Sequence, residues 1–278
     1  MSDSPSIYEQ LLAEGTDPDA PRLVRTERHG DRAVVTLDDP ERLNPLSAAL
    51  VIQLKRTLTE LAVEPAIRTV VLTGAGRGFS TGGDLRMMVK AEQHQAEAPG
   101  TTDIWRWIRN EFGGVVRLIA RTDKAFVAAL NGPAAGVALA WALTCDLAIA
   151  SEDAVIVPAF GRLGLLPEVG TSWALTRALG YQGAFRYFAS GEHLTAERAL
   201  EAGLVQELVP ADELMSTADD WCDRIGALPA HAVAMAKPLL RASADASWDG
   251  SLAMEEFAEP NCFTTGVFQE TVRAMAGR

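Results

Sequence analysis

Ser80-Thr81-Gly82-Gly83-Asp84 and Asn131-Gly132-Pro133-Ala134-Ala135-Gly136-Val137 are glycine-rich turns, each preceded by an apolar run and followed by a helical pattern. A strand-to-helix turn leaves backbone N–H groups without helical partners, and a pair of such turns can aim them at one point. Converging amides stabilise a developing oxyanion without using a charged side chain. Further on, Glu168 stands alone in Gly164-Leu165-Leu166-Pro167-Glu168-Val169-Gly170 as a group able to move a proton. The chemistry in reach is therefore negative charge on an oxygen, held by main chain, with one carboxylate beside it.

The elements that must position these segments follow from periodicity. Residues 22–28 and 32–37 alternate around His29-Gly30-Asp31 and predict a hairpin. Leu50, Val51, Leu54, Leu58, Leu61 and Ala62 recur at helical spacing after Ser47, a natural N-cap. Residues 69–73 and 125–130 are short apolar strands leading into the turns. The polar stretch 90–102 reads as mobile, and 104–121 as a helix. A small-residue helix over 136–143 and a strand over 147–150 follow, and beyond Pro210 the pattern is purely helical. Alternating strands and helices predict α/β architecture with a mainly parallel sheet. The expected organisation is a flexible extension over 1–21, with room for a helical turn around residues 8–12, a core over 22–207 and a helical region over 208–278.

With 278 residues the chain can bury a full core in one domain. A formal net charge of -12 argues against nucleic acid or an anionic membrane as partner, while leaving room for a small anionic ligand held locally. Cys145, Cys222 and Cys262 lack metal-ligand spacing and are expected as reduced thiols. The four scattered histidines form no zinc signature, so no metal is expected. The first 21 residues lack the basic start and apolar centre of a secretory leader, and a cytoplasmic location is expected. Residues 125–150 are apolar enough to attract attention as a membrane span, but Asn131-Gly132-Pro133 and Asp146 interrupt them.

Other readings of the first turn compete. Gly74-Ala75-Gly76-Arg77-Gly78 has the flavour of a dinucleotide-binding turn, but Phe79 stands where the third glycine belongs. Gly78-Phe79-Ser80-Thr81-Gly82 also fits the nucleophile elbow of serine hydrolases, although that motif places its serine directly at a strand end and none of the histidines is singled out as its base.

Asn44-Pro45-Leu46-Ser47, Gly78 to Leu85, Asn131 to Val137, Cys145-Asp146-Leu147, Gly191 to Ala199 and Gly203-Leu204-Val205, in this order, resemble the crotonase superfamily. The resemblance runs from about residue 22 to about 209. It implies a spiral of stacked ββα units with a C-terminal helical trimerisation region, a homotrimer or dimer of trimers, and an acyl-CoA thioester held as an enolate. Coenzyme A is then part of the substrate and no separate cofactor is implied. Carried over by motif, the amides of Gly83 and Val137 form the oxyanion hole. Arg42, Leu43, Thr81, Asp84, Leu85 and Arg86 line the coenzyme A path, and Met87, Met88, Phe160 and Leu165 shape the acyl pocket, with Trp105 and Trp107 as further candidates.

Hydration in this superfamily generally uses a pair of glutamates, and their positions fall here on Ala140 and Phe160, which carry no proton. Glu168, in its Pro-Glu-Val-Gly-Thr-Ser context, is similar to the lone acid of Δ3,Δ2-enoyl-CoA isomerases. The resemblance therefore implies isomerisation of a 3-enoyl-CoA, with Glu168 moving a proton between C2 and C4. A hydratase working with one acid, a dienoyl-CoA isomerase, an aryl-CoA dehalogenase and a non-catalytic acyl-CoA-binding protein stand as alternatives. For Glu168 itself, capping of the following helix or pairing with an arginine is the alternative to catalysis.

Overall fold

The computed structural model describes residues 5–277. The chain begins with α1 (Ile7–Thr16), then the hairpin β1 (Val24–His29) and β2 (Arg32–Leu37), α2 (Ala48–Val63) and β3 (Thr69–Gly74). Next come α3 (Leu85–Glu97) and α4 (Thr102–Trp107), which passes through one π-helical turn, Ile108–Phe112, into α5 (Gly113–Arg121). β4 (Ala125–Leu130), the short β5 (Ala134–Ala135), α6 (Gly136–Thr144), β6 (Leu147–Ser151) and β7 (Val155–Val157) follow. The remainder is α7 (Thr171–Ser190), β8 (Leu194–Thr195), α8 (Ala196–Glu201), β9 (Glu207–Val209) and the helices α9 (Leu214–Gly226), α10 (Ala230–Ser243), α11 (Trp248–Phe263) and α12 (Gly266–Ala276).

The main sheet has the order β1-β2-β3-β4-β6-β9; only the β1–β2 hairpin is antiparallel. β5, β7 and β8 form a second, small sheet. β3 and β4 are buried on both faces, which is why both read as unbroken apolar runs. Their side chains still alternate between layers. Val70, Leu72, Phe126 and Ala128 join the principal core with α2, α5 and α6, whereas Val71, Val127 and Ala129 face Leu214, Ala218 and Cys222 of α9. α2 starts where the sequence marks it, with Ser47 Oγ accepting the Leu50 N–H at 3.3 Å.

Several expectations change. Within the segment expected to be a flexible extension, residues 7–16 form α1, opened by a capping box between Ser6 and Glu9. Ile7, Leu11 and Gly15, four residues apart, are buried against the body, and a Cβ on Gly15 would strike Ile52 of α2. Much of the stretch expected to be mobile is helical, since α3 reaches Glu97 from an Asp84 N-cap. The C-terminal region is helical as expected, but α11 and α12 bury none of their described side chains. Among the described residues no helix is long and apolar enough to cross a membrane.

Candidate active site

β3 and β4 run in parallel register, Leu72 opposite Ala128, so the chain leaves both strands at the same edge. Open parallel sheets bind ligands outside the carboxyl ends of their strands. The glycine turns that follow are joined by main chain: Ser80 N–H donates to Pro133 O and Ala135 N–H donates to Ser80 O, each at 3.0 Å. Glycine is required at the contact. Gly82 has φ +81°, and a Cβ there would lie 2.7 Å from the Ala135 carbonyl oxygen.

The first turn is fastened on its other side as well. Leu46 N–H donates to Gly82 O at 2.8 Å and Asp84 N–H to Leu46 O at 3.4 Å, which passes over the Gly83 amide. Val137 is the second residue of α6, so its amide has no carbonyl within the helix. Among the described residues neither the Gly83 nor the Val137 N–H has a protein acceptor, and both residues line one cavity of about 460 Å³.

Buried side chains hold this geometry. Asn44, fully buried, donates from Nδ2 to Ala75 O at 2.9 Å and Gly78 O at 2.8 Å and accepts the Asp39 N–H at 2.8 Å. Ser80, also fully buried, donates to Asn44 O at 2.6 Å and accepts the Gly82 N–H at 3.1 Å. Ser80 is therefore a brace inside the turn with both its hydrogen-bonding roles filled. The nucleophile-elbow reading is overturned by that burial.

Most of the residues expected at the site line the cavity. Arg42, Thr81, Asp84, Leu85, Arg86, Met88, Phe160, Leu165 and Glu168 do so together with Gly83 and Val137. Leu43 and Met87 do not. Leu43 sits at φ +61° after a short 3₁₀ turn and accepts the Thr81 N–H at 3.0 Å, while Met87 packs against the core. Trp107 is buried behind Phe112, and Trp105 lies exposed beneath Arg109, so neither reaches the cavity.

Among the described residues two carboxylates line the cavity, and they differ. Asp84 is spent on structure: one oxygen caps α3 through the Arg86 N–H at 2.8 Å, the other takes Arg42 Nη2 at 2.7 Å. Glu168 has no such ties among the described residues. The N-cap of α7 is Gly170, without a side-chain cap, so helix capping is not its role. Burial is the sole influence on its acidity and pushes the Glu168 carboxyl up to about 7. Its backbone setting is unusual. Val169 has φ +57° and Gly170 φ +98°; a β-branched residue in that region is strained, and Val169 is kept there by packing against the core. The apolar wall beside Glu168 includes Phe160 and Leu165, but Leu166 points to solvent at 75% exposure. Ala140 and Phe160 are buried apolar residues, so no second acid faces Glu168 from either position.

Phe112, Ala159 and Leu163 also line the cavity, unannounced by any motif. Phe112 ends the π-helical turn, and helical periodicity carries no signature of an inserted residue.

The family model for enoyl-CoA hydratase/isomerase matches residues 27–274. The chain is 29% identical over 252 residues to 1,2-epoxyphenylacetyl-CoA isomerase of Escherichia coli K12, spanning 90% of this chain and 94% of that protein. It is 32% identical over 254 residues to a probable enoyl-CoA hydratase of Rhodobacter capsulatus, spanning 90% and 93%. Among solved structures, a putative enoyl-CoA hydratase from Streptomyces coelicolor A3(2) superposes with TM-score 0.84 at 30% identity, covering 94% of this chain and 95% of that one. A monofunctional enoyl CoA isomerase from M. smegmatis superposes with TM-score 0.69 at 29% identity, covering 84% and 99%.

Proposed function

The chain belongs to the enoyl-CoA hydratase/isomerase family and has the crotonase fold, and on that premise we propose that it converts a 3-enoyl-CoA thioester into the 2-enoyl isomer with Glu168 as its single proton carrier. The observation that carries the choice is the Glu168 carboxylate: cavity-lining, free of other ties, and raised to about 7 by burial alone. The names of the relatives divide between isomerase and hydratase, and the support for the isomerase reading comes from the residues of the site.

The thioester oxygen accepts the Gly83 and Val137 N–H groups. Ionised Glu168 takes a proton from C2, and the electron pair released delocalises onto that oxygen as a dienolate. The protonated carboxyl then gives the same proton to C4, the double bond moves from C3–C4 to C2–C3, and Glu168 is again ionised. Because charge on the oxygen grows towards the transition state, fixed amides bind that state more tightly than the substrate; one such donor is worth about 2.7–4 kcal/mol. A carboxyl near pH 7 is matched to both halves of the transfer. Hydration would need a second group to orient water, and Ala140 and Phe160 provide none.

Arg42 and Arg86 line the cavity, and the proposal assigns their positive charge to the coenzyme A phosphates. The bare helices α11 and α12 expose Trp248 (76%), Phe257 (86%) and Met275 (72%), an apolar surface suited to packing against further copies in a trimer.

The test is a purified-protein assay with 3-enoyl-CoA and 2-enoyl-CoA supplied separately. Conjugated thioester should form from the first, with no 3-hydroxyacyl product from either. Hydration of 2-enoyl-CoA without isomerisation would overturn the proposal.

A further inference from the structure

Phe112 meets Trp141 edge-on at 6.3 Å between ring centroids. Phe112 and Val137 line the same cavity, and Trp141 is one helical turn beyond Val137 on α6. The Phe112 ring is held by more than the cavity wall. The π-helical turn that ends at Phe112 throws Glu111 the other way, to 2% exposure. There Tyr8 Oη of α1 donates to one oxygen at 2.9 Å and Lys55 Nζ of α2 to the other, also at 2.9 Å. The Tyr8 ring packs edge-on against Trp107 at 6.5 Å, and Trp107 packs against Phe112 at 5.9 Å. An aromatic row thus runs from α1 to the cavity, and α1 lies outside the region the family model matches, residues 27–274.

We propose that α1 is a specificity element: through Tyr8, Glu111 and Trp107 it locks the π-helical turn, fixes Phe112 as a wall of the acyl pocket, and thereby sets the acyl chain length that the protein binds. The inference rests on reading the cavity as the acyl-CoA site. The Phe112 ring bounds the same cavity as Val137 and Glu168, so it limits the space left for the acyl tail. Phe112 acts by contact with that tail, whereas Tyr8 acts through the turn and is a positioning residue.

Binding of saturated butanoyl-, hexanoyl-, octanoyl- and dodecanoyl-CoA to the full-length protein tests this without requiring turnover. Each methylene that finds an apolar place is worth about fourfold in affinity. Affinity of the wild type should rise by about that factor per methylene until the tail meets Phe112, and then stop rising or fall within the series. Phe112→Ala, or Phe112→Leu if the smaller residue unfolds the turn, should move that maximum to a longer chain. Tyr8→Phe, which keeps the ring and removes the bond to Glu111, should flatten the preference several-fold. Wild-type affinity that keeps rising to dodecanoyl, or a peak unmoved by either Phe112 variant, overturns the proposal. An unchanged profile in Tyr8→Phe overturns the part given to α1. If the chain-length profile behaves as expected but 3-enoyl-CoA is not turned over, the isomerase assignment fails and the pocket assignment stands; if no acyl-CoA binds, both fall.

Discussion

The halves of the site are built by opposite means. The amide half is main chain welded to main chain: Ser80, Pro133 and Ala135 bond across the turns, Gly82 fits against Ala135, and buried Asn44 and Ser80 brace the assembly. The acid half is one side chain on a segment with exposed neighbours, Leu163, Leu165 and Leu166, turned towards the cavity by the strained Val169 and by that residue's anchorage in the core. Amides need no tuning, only direction, so rigidity suits them. The proton carrier proposed here must have an acidity near the working pH, and partial burial without a partner among the described residues supplies it.

The sharpest break in this comparison is Glu168→Gln, which leaves shape and removes proton transfer. Turnover of 3-enoyl-CoA should fall about 10²–10⁴-fold with acyl-CoA affinity little changed, as read by steady-state kinetics beside a binding titration. The same carboxyl fixes the pH dependence. In the proposed mechanism Glu168 must be ionised to accept the first proton, so kcat/KM should fall as pH drops through about 7. Stability runs the other way. With its acidity shifted from 4.5 to about 7 on folding, Glu168 keeps its proton in the folded state over a range in which the unfolded chain has lost it. Its contribution therefore becomes less favourable as pH rises across that window. Glu168→Gln should melt higher than wild type at about pH 8, and the gap should close near about pH 4; equal melting curves at both would remove burial as the cause.

Gly82→Ala attacks the other half. A Cβ would meet the Ala135 carbonyl oxygen at 2.7 Å, at φ +81°, so the turns must part and both amides lose direction. Turnover should fall about 10²-fold, and thermal unfolding should show a loss of about 1–3 kcal/mol. Unlike Glu168→Gln, this change costs stability as well as rate.

Val169→Gly asks whether strain or the core anchor aims the acid. Glycine relieves the backbone at φ +57° and gives up the side chain's packing, so the melting temperature should shift little. The rate should drop about tenfold with KM unchanged, since a loosened carboxylate is misplaced but still present. An unaltered rate would show that the segment is aimed by something else. The smallest effect on turnover is expected from Ser80→Ala. It leaves the Asn44 carbonyl and the Gly82 amide short of partners, costing about 1–3 kcal/mol of stability, while the rate should stay within a few-fold of wild type. Abolished activity in a folded Ser80→Ala protein would revive the nucleophile.

Much of the amide half was legible in the chain, because main-chain sites advertise themselves: only glycine tolerates a positive φ and a neighbouring backbone at Gly82, and an apolar run before a glycine turn marks a strand edge. Lining positions close to those turns, such as Asp84 and Met88, followed from motif alone. Leu43 and Met87 did not, because adjacent residues in a turn or helix point different ways and a motif does not say which one faces the cavity. Asp84 and Glu168 look alike on paper; only their surroundings separate a capping carboxylate from a free one.

The sequence by itself determined the α/β alternation, the parallel edge that carries both turns and the lone acid, since these depend on local periodicity, on glycine and on the absence of an ionisable group at residues 140 and 160. The tertiary structure alone decided that Ser80 is sealed inside its turn and that burial without a partner raises Glu168. It also decided that α1 is a packed helix reaching Phe112 through Tyr8 and Trp107. Burial, partnership and contact across about a hundred residues are properties of chain segments brought together, and no local pattern records which segments will meet.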